Sequence, residues 1–412
     1  MRFPTPPPVA LVATLALLTV TAAGCSDLRA VQAEQAREAV EAANADQPIT
    51  GRPAEGGTEA DEDAGADSLR FSGEVRLRNV RQLTFGGNNA EAYWSPDGER
   101  LIFQSDWGAI NAQGCDQQFV MSVAEGAGRD GDGAERVSTG RGRTTCGYFL
   151  TDDRIVYAST ESGGSACPTT AASQTGRYVW DIFPSYDIYV ADADGGTPEV
   201  LIGGDGYDAE ATVSPDGRFI IFTSTRSGDL ELWRYEVATG DLLQLTDELG
   251  YDGGAFFSPD GSQIVWRASR PTGAAGERYR ELLASDAVEP GALDLYVADA
   301  DGSNARRVTR LPGANWAPFF HPSGDQLIFA SNHHTMDTGG REFDLFLVRL
   351  DGDAEAGAAD LERVTFSGTF DAFPMFSPDG TRLVFASNRR GDRAPSRDTN
   401  VFVADWVETP DQ

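Results

Sequence analysis

The 412 residues are 40% hydrophobic and 24% charged, a globular composition for one large domain or two smaller ones that excludes a mostly disordered chain. Against 33 basic residues stand 64 acidic ones, a formal charge of -31, so a phosphate backbone is repelled and nucleic acid is excluded as a partner. Every basic side chain is Arg, and this Lys-free, Asp-rich balance reflects salt adaptation or a GC-rich genome rather than an activity.

A Pro-rich start leads into an apolar run from Val9 to Val20, then Ala22, Ala23 and Gly24 directly before Cys25. The run is too short to span a bilayer and has the length of a signal-peptide core. Ala22-Ala23-Gly24-Cys25 resembles a bacterial lipobox, with Ala22 where Leu is usual. The resemblance implies an export signal over residues 1–24, a lipid anchor on Cys25 and, with Ser26 next, the periplasmic side of the outer membrane. An ordinary secretory signal cleaved nearby is the alternative. Residues 25–70 are rich in Ala, Glu, Gly and Asp and almost free of large apolar side chains, which predicts a disordered acidic tether.

From residue 71 to 412 one phrase recurs: an apolar strand, a tight turn, and a second apolar strand ending in a small residue. The turns are Ser95-Pro96-Asp97-Gly98, Ser214-Pro215-Asp216-Gly217, Ser258-Pro259-Asp260-Gly261, His321-Pro322-Ser323-Gly324 and Ser377-Pro378-Asp379-Gly380. A degenerate copy, Leu150-Thr151-Asp152-Asp153, fills the gap between the first two. Pro presets φ and Asp-Gly supports the reversal, so each phrase is a hairpin. A second phrase follows, a third strand running into a turn, as in Asp187 through Gly195, Asp294 through Gly302 and Asp344 through Gly352, and then a closing strand such as Leu243-Gln244-Leu245-Thr246 or Arg363-Val364-Thr365. Four short antiparallel strands, repeated six times, predict an all-β fold, a six-bladed β-propeller. After the last hairpin Asn400–Trp406 supplies a third strand and no fourth, whereas Val75–Thr84 is a closing strand without a blade. The amino-terminal strand is therefore expected to complete the last blade and close the ring.

This repeat resembles that of TolB-type propellers, relatives of the WD-repeat family, over nearly all of residues 71–412. TolB proteins carry a further amino-terminal α/β domain, for which residues 26–70 are too short and too polar. The resemblance implies a monomeric, non-catalytic envelope scaffold that binds a protein or a peptidoglycan-associated partner. Related blades also occur in peptidase accessory domains and in lyases, so a metal-dependent glycan-processing or small-ligand propeller is the alternative.

Long connections between second and third strands, at Trp107–Gln117, Ser162–Tyr186, Pro271–Leu293 and His334–Phe343, lie on the face where the chain crosses between blades, the expected functional face. Six residues before each turn stand Asn89, Thr144, Asp208, Asp252, Asn315 and Asp371, expected to ring the channel mouth on the innermost strands, with Glu91 and Glu210 on the same parity. The carboxylates Asp208, Asp252 and Asp371 would hold Ca2+ or Mg2+ or a cationic protein group, or simply cap strands in a solvated channel. Outside them a rim of Trp107, Arg226, Arg270, His333 and Arg389 either neutralises the acidic ring or forms a mixed-charge recognition surface.

With Cys25 committed to lipid, Cys115, Cys146 and Cys167 remain on one face. An oxidising compartment favours one disulfide, and Cys146 with Cys167 is preferred because both belong to one blade. The sequence carries no Gly-x-Ser-x-Gly elbow, and His321, His333 and His334 are its only His residues, too few for a strong metal motif.

Overall fold

The computed structural model describes residues 68–170, 178–351, 360–390 and 398–408; the expected export signal, Cys25 and nearly all of the tether lie outside them. Among the described residues no helix is long and apolar enough to cross a membrane. Six four-stranded antiparallel sheets follow one another along the chain. Blade 1 is Asn89–Trp94, Arg100–Ser105, Gln117–Ser122 and Ala134–Arg136. The first strands of the others are Thr144–Phe149, Asp208–Val213, Asp252–Phe257, Asn315–Phe320 and Asp371–Phe376, and these six pack against one another around a central axis.

The hairpin turns form because Ser and Asp satisfy the backbone locally. Ser95 Oγ donates to Asp97 at 2.5 Å and accepts the Arg100 N–H at 2.9 Å, and Ser214, Ser258 and Ser377 repeat the arrangement. These hydrogen bonds hold the Asp carboxyls below their ordinary range, to about 2 for Asp260 and Asp379. Gly98 and Gly217 sit at φ 71° and 72°, and in the degenerate copy Asp153 takes that left-handed position at φ 68°.

Leu77–Gln82 pairs antiparallel with Asn400–Trp406, from Leu77 opposite Trp406 to Gln82 opposite Phe402, so the amino-terminal strand closes the sixth blade. Leu77, Val80 and Leu83 are buried by that pairing. Glu74, just ahead of the strand, meets the fully buried Arg389 of blade 6 at 3.0 Å, and Arg389 also reaches Asp371 at 3.2 Å.

Every inner strand carries the same irregularity. The register slips between Ala90 and Tyr93 and at the matching place in the other five blades, a one-residue bulge. Its third residue, Glu91, Cys146, Glu210, Gly254, Ala317 or Phe373, is left-handed, with φ between 49° and 61°. An extra residue reverses the face on which later side chains project, so the first and fifth residues of these strands stop sharing a face.

Candidate functional site at the channel mouth

The bulges decide what reaches the axis. Asn89, Asp208, Asp252, Asn315 and Asp371, expected at the channel mouth, are buried inside the blades and tie the first strand to the second. Asn89 accepts from Ser105 at 2.7 Å, Asn315 from Ser331 at 2.6 Å, and Asp371 from Ser387. Asp208 meets Arg226 at 2.7 Å; Asp252 meets Arg270 at 2.7 Å and the Trp266 indole N–H at 2.6 Å. Burial outweighs those partners at Asp252 and pushes its carboxyl up to about 6. The rim residues Arg226, Arg270 and Arg389 thus serve as inward counter-charges. Trp107 is a core residue, and His333 hydrogen-bonds Ser331 at 2.9 Å. Thr144 alone of the six expected residues lines the central cavity. Among the described residues no three His, Cys, Asp or Glu side chains converge as a metal site.

What does line the axis is the bulge ring and, one layer below, the fifth residues of the same strands. Tyr93 of blade 1 meets Phe256 of the opposite blade 4 at 5.5 Å between ring centroids, with Tyr148 and Phe319 alongside. Rings that touch across a six-fold axis plug it, and this aromatic layer is the floor of the site.

Above the floor lies a cavity of about 410 Å³, within the range of ligand-binding clefts. One wall is polar. Glu210 accepts from Arg267 Nη2 at 2.6 Å, from the Gly254 N–H at 2.7 Å, from Thr223 at 2.8 Å and from the Tyr251 hydroxyl. Asp116 pairs with Arg143 at 2.5 Å. Glu91 stands beside the Cys146 thiol at this wall, and burial pushes its carboxyl up to about 7. Burial and the neighbouring Glu91 and Glu210 push the Cys146 thiol well above its ordinary range, which keeps it uncharged and a poor nucleophile. The other wall is aromatic: Trp316 lies 4.9 Å from Phe373, beside Phe370.

The roof comes from the long loops. Trp180–Asp181, in the connection of blade 2, pairs with Ala287–Val288 in that of blade 4, a two-stranded strap that passes over blade 3. Blade 4's insertion also holds the helix Ala274–Leu283, whose Tyr279 packs with Val288 and Ile182 beneath the strap. Trp180 turns down onto Trp316 at 5.5 Å and over the Arg267 guanidinium at 5.1 Å. At the base of the blade 2 loop the disulfide joins Cys115 to Cys167, and Cys146 is free. The expected Cys146–Cys167 pairing is thus corrected: the bulge points Cys146 toward the axis, whereas Cys115 and Cys167 belong to facing loops of adjacent blades.

Sequence reasoning placed Glu91 and Glu210 in the channel and missed Cys146, Arg267, Trp180, Trp316 and Phe373. The bulge column reads Glu, Cys, Glu, Gly, Ala, Phe, with no common chemistry to mark it. Gly254 was the available signal, since a Gly inside a strand pattern marks a bulge or a close approach.

No protein-family model matches the chain. An uncharacterised protein of Agrobacterium fabrum is 24% identical over 352 residues, 77% of this chain and 92% of that protein. The Tol-Pal system protein TolB of Anaeromyxobacter dehalogenans is 31% identical over 173 residues, 40% of this chain and only 32% of the TolB protein. The crystal structure of TolB from Acinetobacter baumannii has 17% identity and a TM-score of 0.46, covering 79% of this chain and 65% of that one. With six blades, the repeated Ser-Pro-Asp-Gly hairpin and the amino-terminal closing strand, the chain is a TolB-like six-bladed β-propeller.

Proposed function

We propose that the chain is a non-catalytic propeller of the cell envelope that holds a segment of an envelope protein partner at the crossing face. The observation that carries this reading is the cleft of about 410 Å³ above a plugged channel, with an aromatic and a polar wall. Side chains of an extended partner segment fit such a cleft as anchors, with the loops around it as the rim. The strap from Trp180 to Val288 is the part of that rim that partner binding displaces or orders. Residues 1–24 are read as a lipoprotein signal and Cys25 as the anchored residue, with 25–70 as the tether that lets the ring reach a partner away from the leaflet.

Two experiments test the reading. Crosslinked envelope is captured with wild type and with Trp316→Ala, which removes the centre of the aromatic wall; the variant should lose its partner and keep its fold. Equal capture by both removes the cleft from the account. Metabolic labelling with fatty acid should label wild type and leave Cys25→Ser unlabelled, and an unlabelled wild type rejects the anchor.

A further inference from the structure

The two basic side chains that line the cavity are both matched, Arg267 by Glu210 at 2.6 Å and Arg143 by Asp116 at 2.5 Å. Glu91 has no basic partner among the described residues, and its Oε2 is buried with no hydrogen bond. A buried acceptor left open at the wall of a cavity is an exception in folded proteins, and a ligand donor is one way to satisfy it. The same cavity is lined by the rings of Trp316 and Phe373, edge to face at 4.9 Å, an apolar wall that suits an aliphatic stem and favours a cation near a ring face.

We propose that the channel mouth receives an alkylammonium group, with its charge on Glu91 and its stem against Trp316 and Phe373. This rests on the reading of the mouth as a partner site and names the group that enters it. An ammonium fits better than a guanidinium. A compact ammonium needs one open oxygen, which Oε2 supplies, whereas a guanidinium fork grips a pair. Such a group comes either from a lysine side chain of a partner protein or from a free alkyl diamine.

The groups that face Glu91 are Cys146 from blade 2, Tyr186 from the blade 2 connection, Glu210 from blade 3, Arg267 from blade 4, Asp116 from the blade 1 loop and Tyr93 from its own strand. Of these, Glu210 and Asp116 oppose ionisation of Glu91 and Arg267 favours it, with burial the larger opposing cause, and an arriving ammonium adds to the favourable side. Binding therefore expels a proton and strengthens as pH rises through the carboxyl's range near 7.

The test follows Trp fluorescence of the full mature chain, since Trp180 and Trp316 line the cavity. The probes are N-acetyl-lysine N-methylamide, cadaverine and the uncharged N-acetyl-norleucine N-methylamide. Both amines should bind and the norleucine compound should not. Glu91→Gln, checked for a cooperative melt no lower than that of wild type, should weaken amine binding roughly 10- to 100-fold. Tighter binding of the lysine compound assigns the source to a protein side chain, and tighter binding of cadaverine assigns it to a free diamine. Wild-type amine binding should be weaker at about pH 5 than at about pH 8 and should release a proton. If Glu91→Gln misfolds, this pH dependence decides in its place. Equal binding of the norleucine compound, unchanged affinity in Glu91→Gln, or no binding of either amine up to about 10 mM overturns the proposal. Partner capture lost in Trp316→Ala and intact in Glu91→Gln overturns it while leaving the partner site standing.

Discussion

The Arg267 guanidinium occupies the space that a Cβ at Gly254 would fill. From there it reaches Glu210 at 2.6 Å, so a blade 4 side chain enters the axis through the gap left by blade 4's own bulge residue. The left-handed backbone is not what demands Gly, because Ala317 and Phe373 adopt the same conformation at φ 49° and 54°. Gly254→Ala should push Arg267 off Glu210 and lower stability by about 2–4 kcal/mol in denaturant melts, whereas Ala317→Gly should cost at most about 1 kcal/mol. A Gly254→Ala melt equal to wild type would show that Arg267 has another place to go.

Ring closure depends on Glu74 as well as on strand pairing. Arg389 is fully buried between Glu74 and Asp371, and losing one partner leaves an incompletely compensated buried charge. Glu74→Ala should destabilise by about 3–5 kcal/mol, and deletion of Val75–Thr84 should lower the melting temperature further, while deletion of 26–67 should leave it nearly unchanged. Equal effects of the two deletions would contradict closure by the amino-terminal strand.

The Cys115–Cys167 bridge closes a loop across 52 positions and ties the strap's base to blade 1. Chain entropy puts its contribution at up to about 4 kcal/mol. Peptide mapping of unreduced protein should recover Cys115 with Cys167, and Cys146→Ser should leave that peptide pair intact.

Two sets of acids give opposite pH trends. Desolvation pushes the half-buried Glu91 and the buried Glu231 up to about 7 and about 8. A raised folded pKa means that the folded state holds protons more tightly, so stability is full below about 4.5 and falls as pH rises through the raised values. Glu91→Gln should therefore melt higher than wild type at about pH 8 and close to it at about pH 4. The turn acids Asp260 and Asp379 are held near 2, so their contribution is present above about 4 and disappears as pH falls toward 2. Asp379→Asn should remove part of that acid-side loss, read from melts between pH 5 and about pH 2.

The blades were legible because the Ser-Pro-Asp-Gly turn carries its own hydrogen bonds and repeats with the fold. Asp153 shows how little the turn needs, a single residue that tolerates φ 68°. The site was less legible because strand alternation was carried straight through the bulges. That reasoning put Asn89 and Glu91 on one face, whereas the structure buries Asn89 against Ser105 and turns Glu91 to the cavity. The strap was beyond a local reading, since Trp180 and Val288 lie in different blades and pair only once the ring has closed.

The central claim is that the crossing face, at the mouth of the plugged channel, is where a partner binds. A photo-crosslinking residue at Tyr178, which is 76% exposed beside the strap, reads that face in living cells, and the same residue at the exposed turn position Glu99 reads the opposite one. The account predicts a discrete envelope-protein adduct from position 178 that is absent from position 99 and lost when Trp316→Ala is added. An adduct from position 99 with none from 178, or one at 178 that Trp316→Ala leaves unchanged, would contradict it.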